Sequence, residues 1–315
     1  MPPNYEMETL FLPKDYSLGR ITVYRPNETE PSEFLEAQGT VYVPKSSKLF
    51  LDLSQDVCDD LCRIHSIPNI LLANGISISE RTLAGTDFRE LRSLRVHSLA
   101  ITSCDGLRPE QLQQIGKLTS LEHLNLDGTP LEPSDFSWVI ELSSLRTLLL
   151  SSTGADGTCI PFLASLVRLE KVHLANCKIS DADVQAIWRS FRIKAIDLAM
   201  CPITDHALEG IGQSSVLGAL AVPKTKVSDE GVEVLVVEAL RSGQKLSFLT
   251  LRSCRITDKA LVRLASLKSL MFLDLYDTEV TPEGASFIKS ALPDCRIFVG
   301  RDKGGGPRLW SVDGV

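Results

Sequence analysis

The sequence predicts an α/β solenoid, in which repeated strand-turn-helix coils place a parallel sheet on one side and helices on the other. Two observations support this fold class. Similar phrases recur at a nearly constant spacing, and each phrase passes from alternating apolar residues to a helix-start signal. The residues that begin the phrases are Val96, Leu121, Leu145, Leu169, Ile193, Leu217, Leu246 and Leu270, separated by 25, 24, 24, 24, 24, 29 and 24 residues.

Each phrase begins with a short strand. Its pattern is aliphatic-x-x-aliphatic-x-aliphatic-x-x-[Cys/Thr]-x-aliphatic, as in "LEKVHLANCKI". The fourth and sixth residues, Val172 and Leu174, face the same side because side chains alternate along a strand. We expect the first and eleventh residues, Leu169 and Ile179, to join them in the core. One coil cannot close this core alone, so neighbouring coils must stack.

The ninth position of the phrase holds Thr or Cys, where the chain turns off the strand into the interior. A hydroxyl or thiol there can donate to backbone carbonyl groups that burial would otherwise leave unpaired. Eight Cys are spread along the chain rather than clustered, so we expect reduced thiols and no disulfide framework. Four of them occupy the ninth position: Cys104, Cys177, Cys201 and Cys254.

A helix-start signal follows the turn, in the form of Ser or Thr before Asp or Pro. The hydroxyl can accept from the first N–H groups of a helix, Pro needs no N–H there, and Asp favours the positive end of the helix. Pro109 occupies the same position in an earlier coil. The predicted caps are Ser180, Thr204, Ser228, Thr257 and Thr281.

Two coils should depart from this plan. The stretch "SSTGADGTCIPFLASL" lacks the cap signal and predicts a loop or a short 3₁₀ turn. The longer stretch "VSDEGVEVLVVEALRSGQKL" has room for a longer helix. The stretch "LPDCRIFVG" predicts a final strand without a following helix.

Four segments result. Within residues 1–55, the stretches "GRITVY", "GTVYVP" and "KLFLDLS" alternate apolar and polar side chains and predict the strands of a small N-terminal β unit that caps the first core layer. Residues 56–95 predict a helix and degenerate repeats, and residues 96–299 contain the clear repeats. The Gly and Pro content of residues 300–315 predicts a C-terminal tail.

The repeats resemble the leucine-rich repeat family, whose motif matches at eight successive places between residues 96 and 300. They are similar to the ribonuclease-inhibitor-like, cysteine-containing type. The stretches "FLPKDYSLGRITVY" and "LEAQGTVYVP" resemble cytoplasmic leucine-rich repeat proteins of planctomycete-like bacteria. The resemblance implies a right-handed solenoid with a curved parallel sheet on the concave side and helices on the convex side.

Composition and motifs argue against several classes of function. The net charge of -7 disfavours a general binder of nucleic acid or acidic membranes, because both require a basic face. No stretch approaches the roughly 20 apolar residues of a membrane span, and we expect a cytoplasmic protein. No phosphate-binding loop, nucleophile elbow or H-E-x-x-H motif is present, so we expect neither enzyme activity nor a cofactor.

The outward strand positions predict a recognition face for a protein or peptide. Stacked coils place equivalent residues in columns about 4.8 Å apart. In the last coils these columns bring aromatic residues beside Arg, the side chains that most often act as interface hot spots. The predicted contact residues are Phe248, Arg252, Phe272, Asp274 and Tyr276, with a polar zone of His123, Lys171 and His173 in earlier coils.

Other functions stay open at this point. His123, His173 and Asp127 could serve a metal-dependent or acid-base enzyme. Cys58, Cys62 and His65 could supply three zinc ligands along one helix, although no fourth ligand lies nearby in sequence. The repeats also resemble those of ubiquitin-ligase substrate receptors, so the chain could be an adaptor subunit of such an assembly, although we find no F-box-like segment. The tail could instead cover the aromatic residues.

Overall fold

The computed structural model describes residues 6–25, 28, 30–66, 75–131, 136–190 and 192–300. They form two compact units. Unit 1 holds the residues up to Leu131 together with Ser137–Leu145, and unit 2 holds Phe136 and the residues from Arg146 onward. The predicted tail lies outside the described residues except for Gly300, and the four-segment division stays a prediction.

Unit 1 begins with two small antiparallel arrangements. Strand β1 (Met7–Phe11) pairs with β4 (Thr40–Pro44), and β2 (Gly19–Tyr24) lies between β3 (Glu33–Glu36) and β5 (Lys48–Leu53). The period-two alternation predicted β2, β4 and β5, whereas β1 and β3 were not predicted. Because β5 also pairs in parallel with the next strand, the β unit continues directly into the stacked coils.

The coils of unit 1 follow as parallel strands. Strand β6 (Gly75–Ser79) pairs with β5 and with β7 (Ser98–Thr102), which pairs with β8 (His123–Asn125). The helical segments of this unit are α1 (Gln55–Asp59), α2 (Pro109–Gly116) and the 3₁₀ helices Leu61–Ser66, Phe88–Leu94 and Ser137–Glu141. Helix α2 begins at Pro109, as the sequence predicted.

The described residues of unit 2 contain seven parallel strands. Each coil contributes one strand, which pairs with the strand of the next coil. Val172, for example, lies opposite Leu148 on one side and Ile196 on the other. The predicted α/β solenoid of leucine-rich repeats is therefore confirmed. The strands are β9 (Thr147–Leu149), β10 (Lys171–His173), β11 (Ala195–Asp197), β12 (Ala219–Ala221), β13 (Phe248–Thr250), β14 (Phe272–Tyr276) and β15 (Arg296–Gly300).

The helices of unit 2 vary more than its strands. Helix α3 (Ile160–Leu163) follows a 3₁₀ turn (Gly157–Cys159), which confirms the predicted short turn in this coil. The expected lack of a cap is wrong, because Asp156 accepts a hydrogen bond from the N–H of Thr158. The other helical segments are α4 (Asp181–Ser190), the 3₁₀ helices Asp205–Leu208 and Ile211–Gln213, α5 (Asp229–Ser242), α6 (Asp258–Leu264) and α7 (Pro282–Ala291).

The longer coil contains the longest described helix, α5, of 14 residues, as predicted. None of the helices in the described ranges combines the length and apolar character required to cross a bilayer.

The turn after each of the strands β7 to β14 contains a residue with the same backbone conformation. The eighth residue of the phrase adopts a left-handed conformation in successive coils, with φ between 52° and 59° for the residues other than Gly. This conformation is uncommon outside Gly and Asn, and it turns the chain off the strand. The residues are Ser103, Gly128, Ser152, Asn176, Met200, Lys224, Ser253 and Asp277.

The ninth residue then donates to a strand carbonyl, as predicted. Thr153 Oγ1 donates to Leu150 O in its own coil at 2.6 Å, whereas Cys177 Sγ donates to the same oxygen from the next coil at 3.1 Å. Thr225 and Cys254 share Val222 O in the same way. Thr153, Thr225 and Thr278 therefore close their own turns. Thr129 instead donates to Ile101 O of the preceding coil, as the Cys residues at this position do to theirs.

The Asp that follows four of the five predicted caps has a second role that the sequence did not reveal. Its carboxylate accepts two hydrogen bonds from the cap residue of the following coil, one from the backbone N–H and one from the hydroxyl. We call this series the carboxylate ladder. Its four links are Asp181 to Thr204, Asp205 to Ser228, Asp229 to Thr257 and Asp258 to Thr281.

Glycine makes room for two of these links. A Cβ added at Gly231 would overlap Asp205 Oδ1, and one added at Gly284 would overlap Asp258 Oδ1. Both glycines lie in the first turn of a helix, where Gly is unfavourable by about 1 kcal/mol relative to Ala. The close approach of the preceding carboxylate therefore explains why Gly is present.

Candidate functional site

The predicted columns of outward residues are present in unit 2. Phe248 lies opposite Ala219 and Phe272, and Thr250 lies opposite Ala221 and Asp274. The register is set by parallel pairing between equivalent residues of successive coils. Sequence spacing alone therefore identified which residues would be neighbours on the sheet.

Aromatic rings form a continuous row along the last three strands. Phe248 and Phe272 stack with their ring centroids 4.4 Å apart and an interplanar angle of 5°. Phe272 also contacts Phe298, with centroids 5.2 Å apart and a tilt of 38°. Such ring pairs add to the stabilisation that comes from burial alone. All three side chains keep part of their surface exposed.

Phe298 and Arg296 were missed by the sequence reasoning, although the signal was present. Each lies 24 residues after a residue of the preceding strand, and the pairs Phe272 with Arg296 and Asp274 with Phe298 are opposite each other in the sheet. The stretch "LPDCRIFVG" was recognised as a strand, but the columns were not extended into it. The Arg296 guanidinium lies 5.0 Å from the centre of the Phe298 ring.

Arg252 is held between a carboxylate and an aromatic ring. Its Nε donates to Asp274 Oδ2 at 2.9 Å, and its guanidinium carbon lies 4.7 Å from the centre of the Tyr276 ring. Asp274 Oδ1 accepts the backbone N–H of Tyr276 at 2.9 Å. One carboxylate thus positions the arginine and the strand that carries the tyrosine. We call Phe248, Phe272, Phe298, Arg252 and Tyr276 the aromatic patch.

The exposed fractions of these residues divide them by role. Asp274 has 0% of its surface exposed, whereas the side chain of Arg252 has 19%. The carboxylate therefore lies beneath the surface, and it can act on a partner only through Arg252 and Tyr276. Ion pairs with a buried member are costly to break, because removal of one partner leaves the other charge uncompensated.

The residues of the predicted polar zone are divided between the two units. His123 belongs to unit 1, whereas Lys171 and His173 belong to unit 2. His173 is only 8% exposed, and its burial, together with the nearby Lys171, lowers the pKa of its imidazole to about 4. Lys171 is exposed. Because His173 is shielded from solvent, we find no geometric support for its use as an acid or base.

The residues beside His123 have a structural role in the strand end. Asn125 Oδ1 accepts the backbone N–H of Asp127 at 2.8 Å, and Asp197 and Asp274 make the equivalent contact in unit 2. A side chain that accepts from the backbone two residues ahead stabilises a turn. The polar character of this column therefore follows partly from the coil geometry.

The proposed zinc ligands do not lie along one helix. Helix α1 ends at Asp59, and Cys62 and His65 belong to the separate 3₁₀ helix Leu61–Ser66, so the predicted single helix is wrong. Cys58 is fully buried, which raises the pKa of its thiol to about 12, whereas Cys62 is exposed. His65 Nε2 lies 2.8 Å from Glu90 Oε2. No group of three or more His, Cys, Asp and Glu side chains among the described residues could hold a metal ion.

Comparison with known proteins gives similarities of fold at low identity. No family model matches the chain, and no curated protein matches it. Internalin C2 of Listeria monocytogenes is 18% identical, with 73% of this chain and 79% of the internalin covered and a TM-score of 0.42. The internalin inlF of the same bacterium is 17% identical, with 78% and 71% covered and a TM-score of 0.49.

A plant peptide hormone receptor, RGFR1 in complex with RGF2, is also similar. It is 12% identical to this chain, with a TM-score of 0.41. The alignment covers 80% of this chain and 46% of the receptor chain.

Proposed function

We propose that the chain is a non-enzymatic scaffold that recognises a peptide segment of a partner protein through the aromatic patch. The observation that supports this proposal is that Asp274 holds Arg252 against Tyr276 beside three contacting phenylalanine rings. Partly exposed aromatic and Arg side chains on a fixed framework are the usual content of interface hot spots.

Preorganisation supports this assignment over a purely structural role. The rings stand on parallel strands whose backbone groups are paired, and the arginine is fixed by a buried carboxylate. A partner therefore need not immobilise these side chains when it binds, which reduces the entropic cost of association. A patch that served only to fill space at this end of the sheet would not require a buried ion pair.

The arginine also suggests what the partner contributes. Arg252 Nη2 is buried and has no hydrogen-bond acceptor among the described residues. A buried donor without an acceptor is unfavourable by about 1–3 kcal/mol. We therefore assign an apolar peptide segment with an oxygen acceptor as the occupant, so that a carbonyl or carboxylate oxygen of the partner satisfies this donor.

Selection from a random peptide library against the full-length wild-type protein tests the proposal. Peptides are counter-selected against a Phe248→Asp/Phe272→Asp/Tyr276→Asp variant, and their affinity is then measured by calorimetry. We expect Phe272→Ala to weaken binding by at least 2 kcal/mol, the usual size for a hot spot. Phe287→Ala is the matched control, because Phe287 is 45% exposed on α7.

Three results would contradict the proposal. Selection could yield no peptide, or Phe272→Ala and Phe287→Ala could weaken binding equally. In the third case, a Trp310→Ala variant would bind peptides much more tightly than wild type, which would indicate that the tail is the occupant. Circular dichroism must show that each variant is folded.

We further propose that the protein is cytoplasmic. We also propose that its repeats are of the ribonuclease-inhibitor-like type and resemble those of planctomycete-like bacteria. An adaptor subunit of a ubiquitin-ligase-like assembly is the alternative, and it would place the partner on residues 1–90 instead of on the aromatic patch. Hydrogen exchange of a complex would separate the two, since protection would appear on different strands.

A further inference from the structure

A basic depression lies at the edge of the sheet in unit 2, where the chain enters strands β9 to β11. It has a volume of about 520 Å³. Arg146, Glu170 and Lys194 each directly precede a strand, and backbone bonds from Glu170 N to Arg146 O and from Lys194 N to Glu170 O fix their spacing. The residues that line the basic depression are Arg146, Val167, Arg168, Leu169, Glu170, Arg192, Lys194 and Val216.

The charges of this basic depression are unbalanced. Glu170 Oε1 lies 3.0 Å from both Arg146 Nη1 and Lys194 Nζ, and the hydrogen bond from Lys194 is the main reason that the pKa of Glu170 is lowered. Arg168 and Arg192 are exposed and form no ion pair with a carboxylate in the described ranges. Four cationic side chains therefore surround one carboxylate, in a chain whose net charge is -7.

The surroundings of the charges are apolar. Val167 is 87% exposed and Val216 is 39% exposed, and both line the basic depression. A single exposed aliphatic residue needs no explanation, but two beside unpaired guanidinium groups form a mixed surface. Such a surface suits a ligand that combines an anionic group with an aliphatic side chain.

The size of the basic depression limits the ligand. The residues that precede three successive strands extend over about 10 Å, given the spacing of strands in a sheet. That length accommodates one phosphate group or two carboxylates, whereas a nucleic acid would extend over the rest of an acidic protein. Guanidinium groups bind such oxygens in a bidentate way.

We propose that the basic depression binds a peptide segment that carries a phosphate monoester or paired carboxylates beside an aliphatic side chain. This site is separate from the aromatic patch and does not depend on it. Arg168 and Arg192 supply the donors, since neither forms an ion pair with a carboxylate among the described residues. Val167 and Val216 contact the aliphatic side chain, and Glu170 keeps Arg146 and Lys194 in position.

Calorimetry on the full-length protein at physiological salt tests the proposal with five probes. Three are the same short valine-flanked peptide with phosphoserine, with two glutamates, or with unmodified serine, and the others are inorganic phosphate and a short single-stranded DNA. We expect the phosphoserine or the glutamate peptide to bind, and the serine peptide to bind about tenfold more weakly or worse. The anionic peptide that binds shows whether the ligand carries a phosphate monoester or paired carboxylates.

Charge reversal at the two unpaired arginines gives the decisive comparison. Arg168→Glu/Arg192→Glu should weaken binding of the anionic peptide at least tenfold, whereas Lys226→Glu/Arg255→Glu changes the net charge equally at exposed positions of the same unit and should leave it within about twofold. Arg168→Lys/Arg192→Lys keeps the charge but removes bidentate geometry. This variant should weaken binding of the phosphoserine peptide more than binding of the glutamate peptide.

Four results would contradict the proposal. An equal loss of affinity in the two charge-reversal variants would show a general effect of net charge. DNA that binds more tightly than either anionic peptide would exclude a peptide ligand, and phosphate that binds as tightly as the phosphopeptide would exclude a role for the valines. Absence of binding by both anionic peptides would end the proposal. A Phe272→Ala variant should bind these peptides as wild type does, which separates this site from the aromatic patch.

Discussion

Asp229 accepts two hydrogen bonds from Thr257, a residue in the next coil: the backbone N–H lies 2.8 Å from Oδ1, and the hydroxyl lies 2.6 Å from Oδ2. The same hydroxyl accepts the N–H of Lys259 at 3.2 Å and so caps helix α6. The carboxylate of one helix start therefore orients the cap of the next. Stacking in this unit is specified by hydrogen bonds as well as by the apolar core.

Asp229→Ala should lower the free energy of unfolding by about 1–2 kcal/mol. Hydrogen bonds to a charged group contribute about 1.5–3 kcal/mol when buried, and the partial exposure of this pair reduces that value. Urea denaturation followed by circular dichroism measures the change. Asp294→Ala is the control, because Asp294 is exposed outside the carboxylate ladder; equal destabilisation of both variants would contradict the role of the link.

Gly231→Ala should destabilise the protein although Ala is the better helix former. An added Cβ would overlap Asp205 Oδ1, and overpacking of this kind is unfavourable by about 1–3 kcal/mol. In an Asp205→Ala background, Gly231→Ala should lower the free energy of unfolding much less. A double-mutant cycle should therefore show coupling between the two positions. Gly85→Ala is the control, because nothing lies within 4 Å of its Cβ position. Additive effects of the two substitutions would exclude the predicted overlap.

Met200→Val should destabilise the protein by about 1–2 kcal/mol, because a β-branched residue is poorly compatible with a left-handed backbone. Met200 has a φ of 59° and is 52% exposed, so loss of packing contributes little. Met200→Asn should be nearly neutral, since Asn adopts this conformation readily. Met271→Val, at an exposed position directly before a strand, should also be tolerated. Thermal denaturation of the three variants distinguishes backbone strain from the loss of methionine.

His173 should make the protein less stable as the pH falls. Its folded-state pKa of about 4 lies below its ordinary value of 6.5, so the neutral imidazole is favoured in the folded protein. The stability it contributes is present above pH 6.5 and is lost as the pH falls toward 4, by about 3 kcal/mol in total. The difference in unfolding free energy between wild type and His173→Gln should follow this dependence.

His206 provides a control with the opposite sign. The hydrogen bond to Glu209 raises the pKa of this exposed imidazole, so its contribution is present below pH 6.5 and is lost as the pH rises through the folded-state pKa. The difference between wild type and His206→Gln should therefore fall with increasing pH. Parallel pH profiles for the two variants would contradict one of the two assignments, and the sign of the common slope would show which one.

Sequence periodicity predicted the coils and the neighbours within them because parallel pairing repeats the phrase in register. It identified Phe248, Phe272 and Tyr276 as one group, and the donor role of the ninth residue. It did not predict that Asp274 would be buried, because burial of an outward residue depends on the size of its neighbours. Nor did it predict the broken helix between Cys58 and Cys62, since tertiary packing decides where so short a helix ends.

The carboxylate ladder runs in one direction, and its last acceptor in the described chain is Asp258, because Pro282 occupies the equivalent place in α7. Each of the four coils with an Asp at this place thus carries its own acceptor and receives a donor from the coil that follows it. Deletion of residues 205–228 would leave Asp181 beside Thr204 and Asp229 beside Thr257, and duplication of the same stretch would add one complete link. The array can therefore lengthen or shorten by whole repeats during evolution without breaking a link of the carboxylate ladder, provided that the coil whose helix begins at Pro282 remains the last one.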